Sequence, residues 1–402
     1  MNIRIYPSTA KGSVSAPPSK SMAHRALICA ALSRGESHIY GVSDCEDVRA
    51  TMDCLRALGA ECKQENDDII VKGIDFTTSS SATLLCRESG STMRFMLPLC
   101  LLSKEKMTLV GAPSLLRRPM AVYQTLCKEH NLYFEQTEQS ITVKGPLAAG
   151  EYTLPGDVSS QFISGMLFAL TQVTGNSILH ILPPFESRSY VLLTLQALTD
   201  FGADIAWLDD TTLVVRGATS MQAQNFTVEG DYSNAAFLSA FQTLGGDVIV
   251  EGLNPASLQG DSIYFEHFAT LEKGSTEISL ADCPDLAPIL FALAAAKGGA
   301  HFTDTRRLAI KESNRAEAMA TELRKFGTTV DVRENGVTVI PTAFHAPTEP
   351  LFGHNDHRIV MSLAVLATLT GGMIEGAEAV AKSFPDFFER ISSLGIQIEE
   401  II

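Results

Sequence analysis

Four cations in this 402-residue chain stand at the start of long apolar stretches with helical spacing. They are Lys20 in Ser-Lys-Ser, Arg94 in Ser-Thr-Met-Arg, Arg315 in Lys-Glu-Ser-Asn-Arg and Arg358 in Asn-Asp-His-Arg. A helix start already carries partial positive charge from its unpaired N–H groups, so a cation there is unfavourable unless an anion binds beside it. Because the arrangement occurs four times, the sequence predicts a surface that binds phosphate or carboxylate groups.

Two carboxylates lie among these cations. Asp285 follows Pro284, and Glu312 lies between Lys311 and Arg315. Either acid could serve only as a helix-start charge or as an ion-pair partner. A site that only traps anions would exclude acids, so we also consider proton transfer by both groups.

Another helix start, Ser159-Ser160-Gln161, carries no charge. It offers two hydroxyls, an amide and free backbone N–H groups to a phosphate or a polyol. The chain has no G-x-G-x-x-G, P-loop or G-x-S-x-G motif, which argues against a dinucleotide enzyme, a P-loop NTPase and a serine hydrolase. His357 has no partner spaced as a metal ligand, and we predict no metal.

Composition bounds the class of protein. With 45% hydrophobic and 19% charged residues, the chain is expected to be globular, and its length favours two domains with a cleft. The net charge of −15 argues against nucleic acid as a partner. Eight cysteines without a C-x-x-C pair are expected to be reduced core thiols. Without a signal peptide or a membrane-length apolar run, we predict a cytoplasmic protein.

One pattern repeats along the chain: a helix ending in Leu-x-x-Leu-Gly or a close variant, a strand, a polar turn, and a second strand closing on Gly or Pro. It is clearest over residues 55–73, 126–145, 195–217 and 323–341, with truncated forms near 244–246 and 394–396. The residues that fit the left-handed position after a helix are Gly59, Asn131, Gly202, Gly245, Gly327 and Gly395. The pattern predicts three helix-and-sheet units in each of two lobes, with the apolar helices inside and their N-terminal ends on one face.

Taken together and in this order, these segments resemble EPSP synthase, the 3-phosphoshikimate 1-carboxyvinyltransferase family. The resemblance spans the whole chain and rests on residues 18–27, 89–94, 116–120, 157–162, 284–285, 311–315, 355–358 and 382–386. It implies an α/β fold of two similar lobes, each of three repeated helix/strand units with buried parallel helices and outer sheets, an inside-out α/β barrel. We expect the first lobe at 13–228, the second at 1–12 and 229–402, and the active site in the cleft between them.

The resemblance also implies an activity: transfer of the enolpyruvyl group of phosphoenolpyruvate to the 5-hydroxyl of shikimate 3-phosphate, with release of phosphate and without a cofactor. The residues it assigns to shikimate 3-phosphate, mainly in the first lobe, are Lys20, Ser21, Arg25, Ser159, Ser160, Gln161, Ser187, Asp285 and Lys311, with Tyr190 as a further contact. Those it assigns to phosphoenolpyruvate, mainly in the second lobe, are Lys20, Gly90, Arg118, Gln161, Arg315, Arg358 and Lys382. As catalytic residues we expect Asp285 with Lys20 at the hydroxyl and Glu312 at C3 of phosphoenolpyruvate. We expect a monomer with no nucleic-acid or membrane partner, inhibited by glyphosate.

Four positions depart from the commoner family pattern: Glu88 and Ser89 replace Asn-Ala, Ala309 replaces an Arg, and Asn314 replaces an Asp. Glu88 would repel a phosphate, so we expect it to face away from the site or to pair with a cation. Two alternatives stay open. The related transferase that acts on UDP-N-acetylglucosamine is expected to have a Cys in the loop before its Arg-Pro, whereas residues 111–119 contain none. A non-catalytic scaffold for phosphorylated partners would leave Asp285 and Glu312 without a purpose.

Overall fold

The computed structural model describes residues 1–218, 221–274 and 276–401. Its strands are β1 (Asn2–Ile5), β2 (Lys11–Ser15), β3 (Glu36–Tyr40), β4 (Glu61–Glu65), β5 (Asp68–Lys72), β6 (Ala82–Leu85), β7 (Met107–Val110), β8 (Tyr133–Gln136), β9 (Ser140–Lys144), β10 (Glu151–Pro155), β11 (Asn176–Leu182), β12 (Asp204–Trp207), β13 (Thr212–Arg216), β14 (Asn225–Thr227), β15 (Asp247–Glu251), β16 (Glu277–Ser279), β17 (Ala300–Thr303), β18 (Thr329–Arg333), β19 (Gly336–Ile340), β20 (Leu351–Phe352), β21 (Gly372–Glu375) and β22 (Ile398–Ile401). Its α-helices are α1 (Lys20–Leu32), α2 (Glu46–Ala57), α3 (Gly90–Cys100), α4 (Pro113–Leu116), α5 (Ala121–Glu129), α6 (Ser160–Leu170), α7 (Arg188–Asp200), α8 (Tyr232–Thr243), α9 (Tyr264–Leu271), α10 (Ala287–Ala296), α11 (Arg315–Lys325), α12 (His357–Thr370) and α13 (Phe387–Ser393).

The chain divides into two compact units, unit I (Pro18–Glu229) and unit II (Met1–Pro17 with Gly230–Ile402). The sequence analysis placed the first crossover between residues 12 and 13, which falls inside β2. The structure places it after Pro17, because β2 pairs in parallel with β15 and the Ala16 amide extends this pairing to the Glu251 carbonyl. The second predicted crossover, between 228 and 229, differs from the observed one by a single residue.

In its described residues, unit I contains three four-stranded sheets of one design. Their strand orders are β14-β3-β5-β4, β6-β7-β9-β8 and β10-β11-β13-β12. In each sheet the first two strands are parallel and the later neighbours antiparallel. The last two strands of each sheet form the hairpin that the repeat predicted.

Over the part of unit II that the structure describes, two sheets repeat this design, in the orders β16-β17-β19-β18 and β20-β21-β1-β22. The third sheet is reduced to the parallel pair β15-β2, at one of the positions where the sequence repeat is truncated. The predicted mixed α/β fold of repeated helix and sheet units is confirmed.

Three helices in each unit, α1, α3 and α6 in unit I and α8, α10 and α12 in unit II, are buried along most of their length. Their side chains are apolar in nearly every direction, so they are stable only when enclosed. Each packs on its own sheet: α1 on β3 and β5, α3 on β7 and β9, α6 on β13, α8 on β15, α10 on β19, and α12 on β1 and β21. The prediction of interior helices is therefore confirmed.

The residues predicted to end helices all adopt a positive φ, from 56° at Asn131 to 110° at Gly59. A different requirement applies to the glycine that follows each hairpin of unit I. A Cβ on Gly73, Gly145 or Gly217 would lie only 2.0, 1.8 or 2.1 Å from a backbone carbonyl oxygen near the end of the buried helix. Glycine is needed there because the hairpin and the helix end touch through their backbones.

Two further expectations concern burial and the membrane. All eight cysteines are buried and free, as expected of core thiols. Among the described residues, no helix combines the length and the apolar character needed to cross a bilayer.

Candidate functional site

In unit I, Lys20 is the first residue of α1, and Ser19 caps the helix by accepting a hydrogen bond from the Met22 amide. The Lys20 ammonium donates to Oδ2 of Asp47, at a distance of 2.9 Å, and the two side chains are only 13% and 12% exposed. Asp47 lies in the first turn of α2, where a carboxylate is favoured. This ion pair compensates the unfavourable cation at the start of α1.

Arg25 lies one turn further along α1 and is almost fully buried. Its Nε donates to Oγ1 of Thr194, and its two terminal nitrogens donate to the carbonyls of Ser21 and Tyr190, at 2.7–2.9 Å. Burial lowers the pKa of Arg25 to about 10, so the group stays charged at neutral pH. The bonds to Thr194 and Tyr190 tie α1 to α7, which begins directly after Ser187, a buried residue with a left-handed φ of 53°.

The starts of α3 and α6 lie side by side. Gln161 accepts from Nη1 of Arg94 at 2.7 Å and donates to Oγ of Ser91 at 2.8 Å. Gly90 opens α3, and a Cβ added there would lie 2.7 Å from Nη1 of Arg118 and 3.5 Å from Nη1 of Arg94. Two guanidinium groups therefore border one helix start, a combination of donors that suits a phosphate or a carboxylate.

A buried tyrosine holds these two helix starts in place. The hydroxyl of Tyr123 lies 2.8 Å from the carbonyl oxygen of Arg94 and 3.1 Å from that of Phe162. A Cβ on Gly165 would lie 2.4 Å from this hydroxyl, so glycine is needed for the close approach. The Arg94 guanidinium also lies over the Phe162 ring, 5.1 Å from its centroid.

In unit II, Asp285 occupies a short 3₁₀ turn before α10 and gathers three cations. Its Oδ1 accepts from Lys311 at 3.0 Å and from Nη1 of Arg315 at 2.8 Å, and its Oδ2 accepts from Arg358 at 3.2 Å. Glu312 accepts from Nη2 of Arg315 at 2.7 Å. The two acids and the cations predicted to surround them therefore form one cluster.

Arg315 is the centre of this cluster and is only 1% exposed. Besides Asp285 and Glu312, it binds Asp356, whose Oδ2 accepts from Nε of Arg315 at 2.9 Å. Asp356 also accepts from the Ser313 hydroxyl and caps α12 through the Arg358 amide. A buried guanidinium is tolerated when its fork of donors is matched by carboxylates in this way.

The charges of the cluster shift its pKa values. Burial alone would raise the pKa of Asp285, but the charges of Arg358, Lys311 and Arg315 outweigh it and hold that pKa well below its usual range. Burial lowers the pKa of Lys311, and Asp285 opposes this shift. For Arg315, the carboxylates of Asp356, Glu312 and Asp285 outweigh burial and raise the pKa. The cluster thus keeps Asp285 ionised.

The remaining predicted residues lie beside these groups. Lys382 ends a 3₁₀ turn and donates to the Asn355 carbonyl at 2.6 Å, next to Asp356. Ser159 caps α6 by accepting from the Gln161 amide, and Ser160 is buried as the first residue of that helix.

The positions that depart from the commoner family pattern have ordinary local roles. Asn314 caps α11 by accepting from the Glu317 amide, which an amide oxygen does as well as a carboxylate. Ala309 is exposed in a 3₁₀ turn. Glu88 is half-buried directly before Ser89, which caps α3.

Sequence reasoning missed two acidic residues of the site, Asp47 and Asp356. Asp356 has a readable local signal, because it directly precedes an apolar helix in the N-cap position. Its bond to Arg315 spans 41 residues and the bond from Lys20 to Asp47 spans 27, so no local pattern predicts either pair.

Solved structures with a similar fold include enolpyruvyl transferases. They include the EPSP synthase of Acinetobacter baumannii (TM-score 0.79, 23% identity, 99% of each chain) and the enolpyruvyl transferase NikO of Streptomyces tendae (TM-score 0.79, 16% identity, 99% of this chain and 98% of that one). At this identity the likeness defines the fold class.

Sequence comparison gives the family. The profile described as EPSP synthase (3-phosphoshikimate 1-carboxyvinyltransferase) matches residues 6–391. Curated 3-phosphoshikimate 1-carboxyvinyltransferases include one from Clostridium perfringens strain SM101, 37% identical over 98% of this chain and 99% of its own, and one from Clostridium kluyveri, 36% identical over 99% and 98%. The chain belongs to the EPSP synthase family.

Proposed function

We propose that this chain transfers the enolpyruvyl group of phosphoenolpyruvate to the 5-hydroxyl of shikimate 3-phosphate and releases phosphate. The observation that carries the proposal is the cluster in which Asp285 and Glu312 share Arg315, in a chain that matches the family over nearly its whole length. The reaction needs cations for anionic substrates and two groups for proton transfer. This cluster offers both.

In the first step the hydroxyl oxygen bonds to C2 of phosphoenolpyruvate, the hydroxyl loses its proton, and C3 gains one. In the second step the bond from C2 to the phosphate oxygen breaks and C3 loses a proton. We assign the hydroxyl proton to Asp285 assisted by Lys20, and the C3 protons to Glu312.

A carboxylate surrounded by three cations is a weak base, so the assignment of Asp285 needs a physical explanation. The carboxylate and phosphate of phosphoenolpyruvate would draw on the same Arg315 and Arg358 that now hold Asp285. Sharing these cations raises the pKa of Asp285 and makes the group a better proton acceptor. Substrate binding thereby activates the base.

The proposed substrate contacts are those implied by the family resemblance. For shikimate 3-phosphate they are Lys20, Ser21, Arg25, Ser159, Ser160, Gln161, Ser187, Asp285 and Lys311. For phosphoenolpyruvate they are Lys20, Gly90, Arg118, Gln161, Arg315, Arg358 and Lys382. Bidentate arginine suits both carboxylate and phosphate.

The decisive assay measures phosphate release from phosphoenolpyruvate with shikimate 3-phosphate or UDP-N-acetylglucosamine as the second substrate. We expect release only with shikimate 3-phosphate. Release with the UDP sugar alone would favour the related transferase, and no release with either would favour a non-catalytic binding protein.

Replacing Glu312 by Gln should lower kcat by roughly 10²-fold, because the amide keeps the shape of the side chain but cannot exchange a proton with C3. Steady-state kinetics should show little change in the KM of either substrate. Glu317→Gln is the matched control, because Glu317 is an exposed carboxylate in the first turn of α11, five residues after Glu312, and its replacement should leave kcat unaltered. An unchanged kcat in Glu312→Gln would remove this residue from the mechanism.

Replacing Gly90 by Ala should weaken glyphosate inhibition more than phosphoenolpyruvate binding. The added Cβ would displace the Arg118 guanidinium, which lies at the end of a flexible side chain and can move. The pocket would become smaller, and phosphoenolpyruvate, the smaller of the two ligands, should tolerate this better than glyphosate. The comparison is between the inhibition constant for glyphosate and the KM for phosphoenolpyruvate in both proteins. Equal losses would contradict this steric explanation.

We also propose, from the sequence, that the protein acts in the cytoplasm as a monomer. Sedimentation velocity of the purified chain tests the monomer, and cell fractionation tests the location.

A further inference from the structure

The segment before α12 has an unusual backbone. Residues 353–355, here termed the 353–355 loop, join β20 to Asp356, the cap of α12. His354 and Asn355 both adopt left-handed conformations, with φ of 50° and 52°. Two consecutive non-glycine residues in this region are unfavourable, so the surroundings must hold them there.

One buried carboxylate holds the start of this segment. Glu322, on α11, is 1% exposed. Its Oε2 accepts from the Phe352 amide at 2.9 Å and from the Lys325 ammonium at 2.8 Å, and its Oε1 lies 2.9 Å from Nε2 of His354. Burying a carboxylate is costly unless both oxygens are bonded, as they are here. Only the Lys325 contact lies within the helix.

The same helix holds the other end of the segment. Arg315 precedes Glu322 by about two helical turns, so the two side chains lie on the same face of α11. Arg315 donates to Asp356, while Glu322 binds Phe352 and His354. The loop is thus fixed at both ends by one rigid element.

The loop has little room to adjust elsewhere. A Cβ on Gly353 would lie 2.6 Å from Cγ2 of Val360 and 2.9 Å from the Gly376 carbonyl oxygen. The Asn355 carbonyl accepts from Lys382, and Arg358 follows three residues later. Two cations proposed for phosphoenolpyruvate therefore depend on the path of this loop.

We infer that Glu322 is a positioning residue, which holds the 353–355 loop in its left-handed path and so places Arg358 and Lys382 for phosphoenolpyruvate. The inference rests on the proposed function. Glu322 acts through the loop and touches no substrate.

The test uses Glu322→Gln in the full chain. The amide keeps the size of the side chain but removes its charge and one of its two acceptor oxygens, so the hold on Phe352 and His354 is weakened. We expect kcat/KM for phosphoenolpyruvate to fall about 10- to 100-fold, because small misplacements of binding groups have effects of that size. The KM for shikimate 3-phosphate should change less than threefold, roughly within the spread of neutral substitutions. Amide hydrogen exchange over residues 352–358 should become faster.

Lys325→Met is the matched control, because it removes the ion pair to Glu322 and the bond to the Pro350 carbonyl before β20, but leaves the Phe352 and His354 contacts of Glu322. Lys325→Met should lower the free energy of unfolding without changing kcat/KM for phosphoenolpyruvate or amide hydrogen exchange over residues 352–358. If Glu322→Gln does not fold, His354→Val replaces it, since His354 is partly exposed and a β-branched residue disfavours the left-handed φ.

The inference is overturned if Glu322→Gln changes stability alone, with kinetics and loop exchange like those of the unaltered protein. The two proposals fail separately. An unaltered protein that releases no phosphate would end the proposed function, while faster loop exchange in Glu322→Gln would still support the role of this carboxylate.

Discussion

Replacing Asp285 by Asn is expected to lower kcat by roughly 10²- to 10⁴-fold, the usual range for losing a general base. The amide can still accept a hydrogen bond from Lys311 or Arg315, but it cannot take a proton from the substrate hydroxyl. It also removes one negative charge from among three cations, so the affinity for phosphoenolpyruvate should be kept or increased. A fall in kcat without a rise in KM is the signature to look for in steady-state kinetics.

Asp282→Asn provides the matched control for this prediction. Asp282 is an exposed carboxylate three residues earlier in the same segment, and its replacement should leave kcat unchanged. If Asp285→Asn retained most of its kcat, Asp285 would be only a structural partner of Arg315, and the base would have to be sought elsewhere.

Replacing Gly145 by Ala is expected to destabilise the protein by about 3 kcal/mol or more, at the upper end of the cost of overpacking. The new Cβ would lie 1.8 Å from the Leu101 carbonyl oxygen and 2.8 Å from that of Ser103, and both are backbone atoms at the end of α3. Relief of the clash would break the bond from the Gly145 amide to the Ser103 carbonyl. The free energy of unfolding from urea titration measures the loss.

Gly150→Ala is the control for Gly145→Ala. A Cβ at Gly150 would meet its nearest neighbour, a ring carbon of Tyr152, at 4.0 Å, which is an ordinary contact. Similar unfolding free energies for the two variants would show that the hairpin can move away from α3 at little cost.

The repeat was predictable because its signals are local. A helix that ends at Gly59 or Gly327 needs a residue that tolerates positive φ, and glycine or asparagine after an apolar helical stretch marks that position. The apolar helices α6 and α10 likewise show their burial in their own composition. The reduced sheet β15-β2 was not predicted, because its two strands are more than 200 residues apart in sequence and each is too short to give a clear pattern.

The candidate site was predictable in its cations and less so in their partners. Lys20, Arg315 and Arg358 could be predicted as site residues, because a cation at a helix start is unfavourable unless an anion lies beside it. The carboxylates that compensate them, Asp47 and Asp356, are brought close only by the tertiary fold. The resemblance assigned Arg25 to substrate, whereas the structure shows that two of its nitrogens also fasten α1 to α7, a role that no sequence pattern expresses.

The position of β1 has a consequence for synthesis on the ribosome. β1 pairs with β21 and β22, so this strand leaves the exit tunnel before unit I is made, whereas its partners emerge only after unit I. At translation rates of roughly 5–20 residues per second, the delay between β1 and β21 is roughly 20–75 s. Unit I, whose described strands pair only with one another, is complete long before then. The nascent chain can therefore fold unit I first, while β1 waits without its partner strands and is exposed to chaperones.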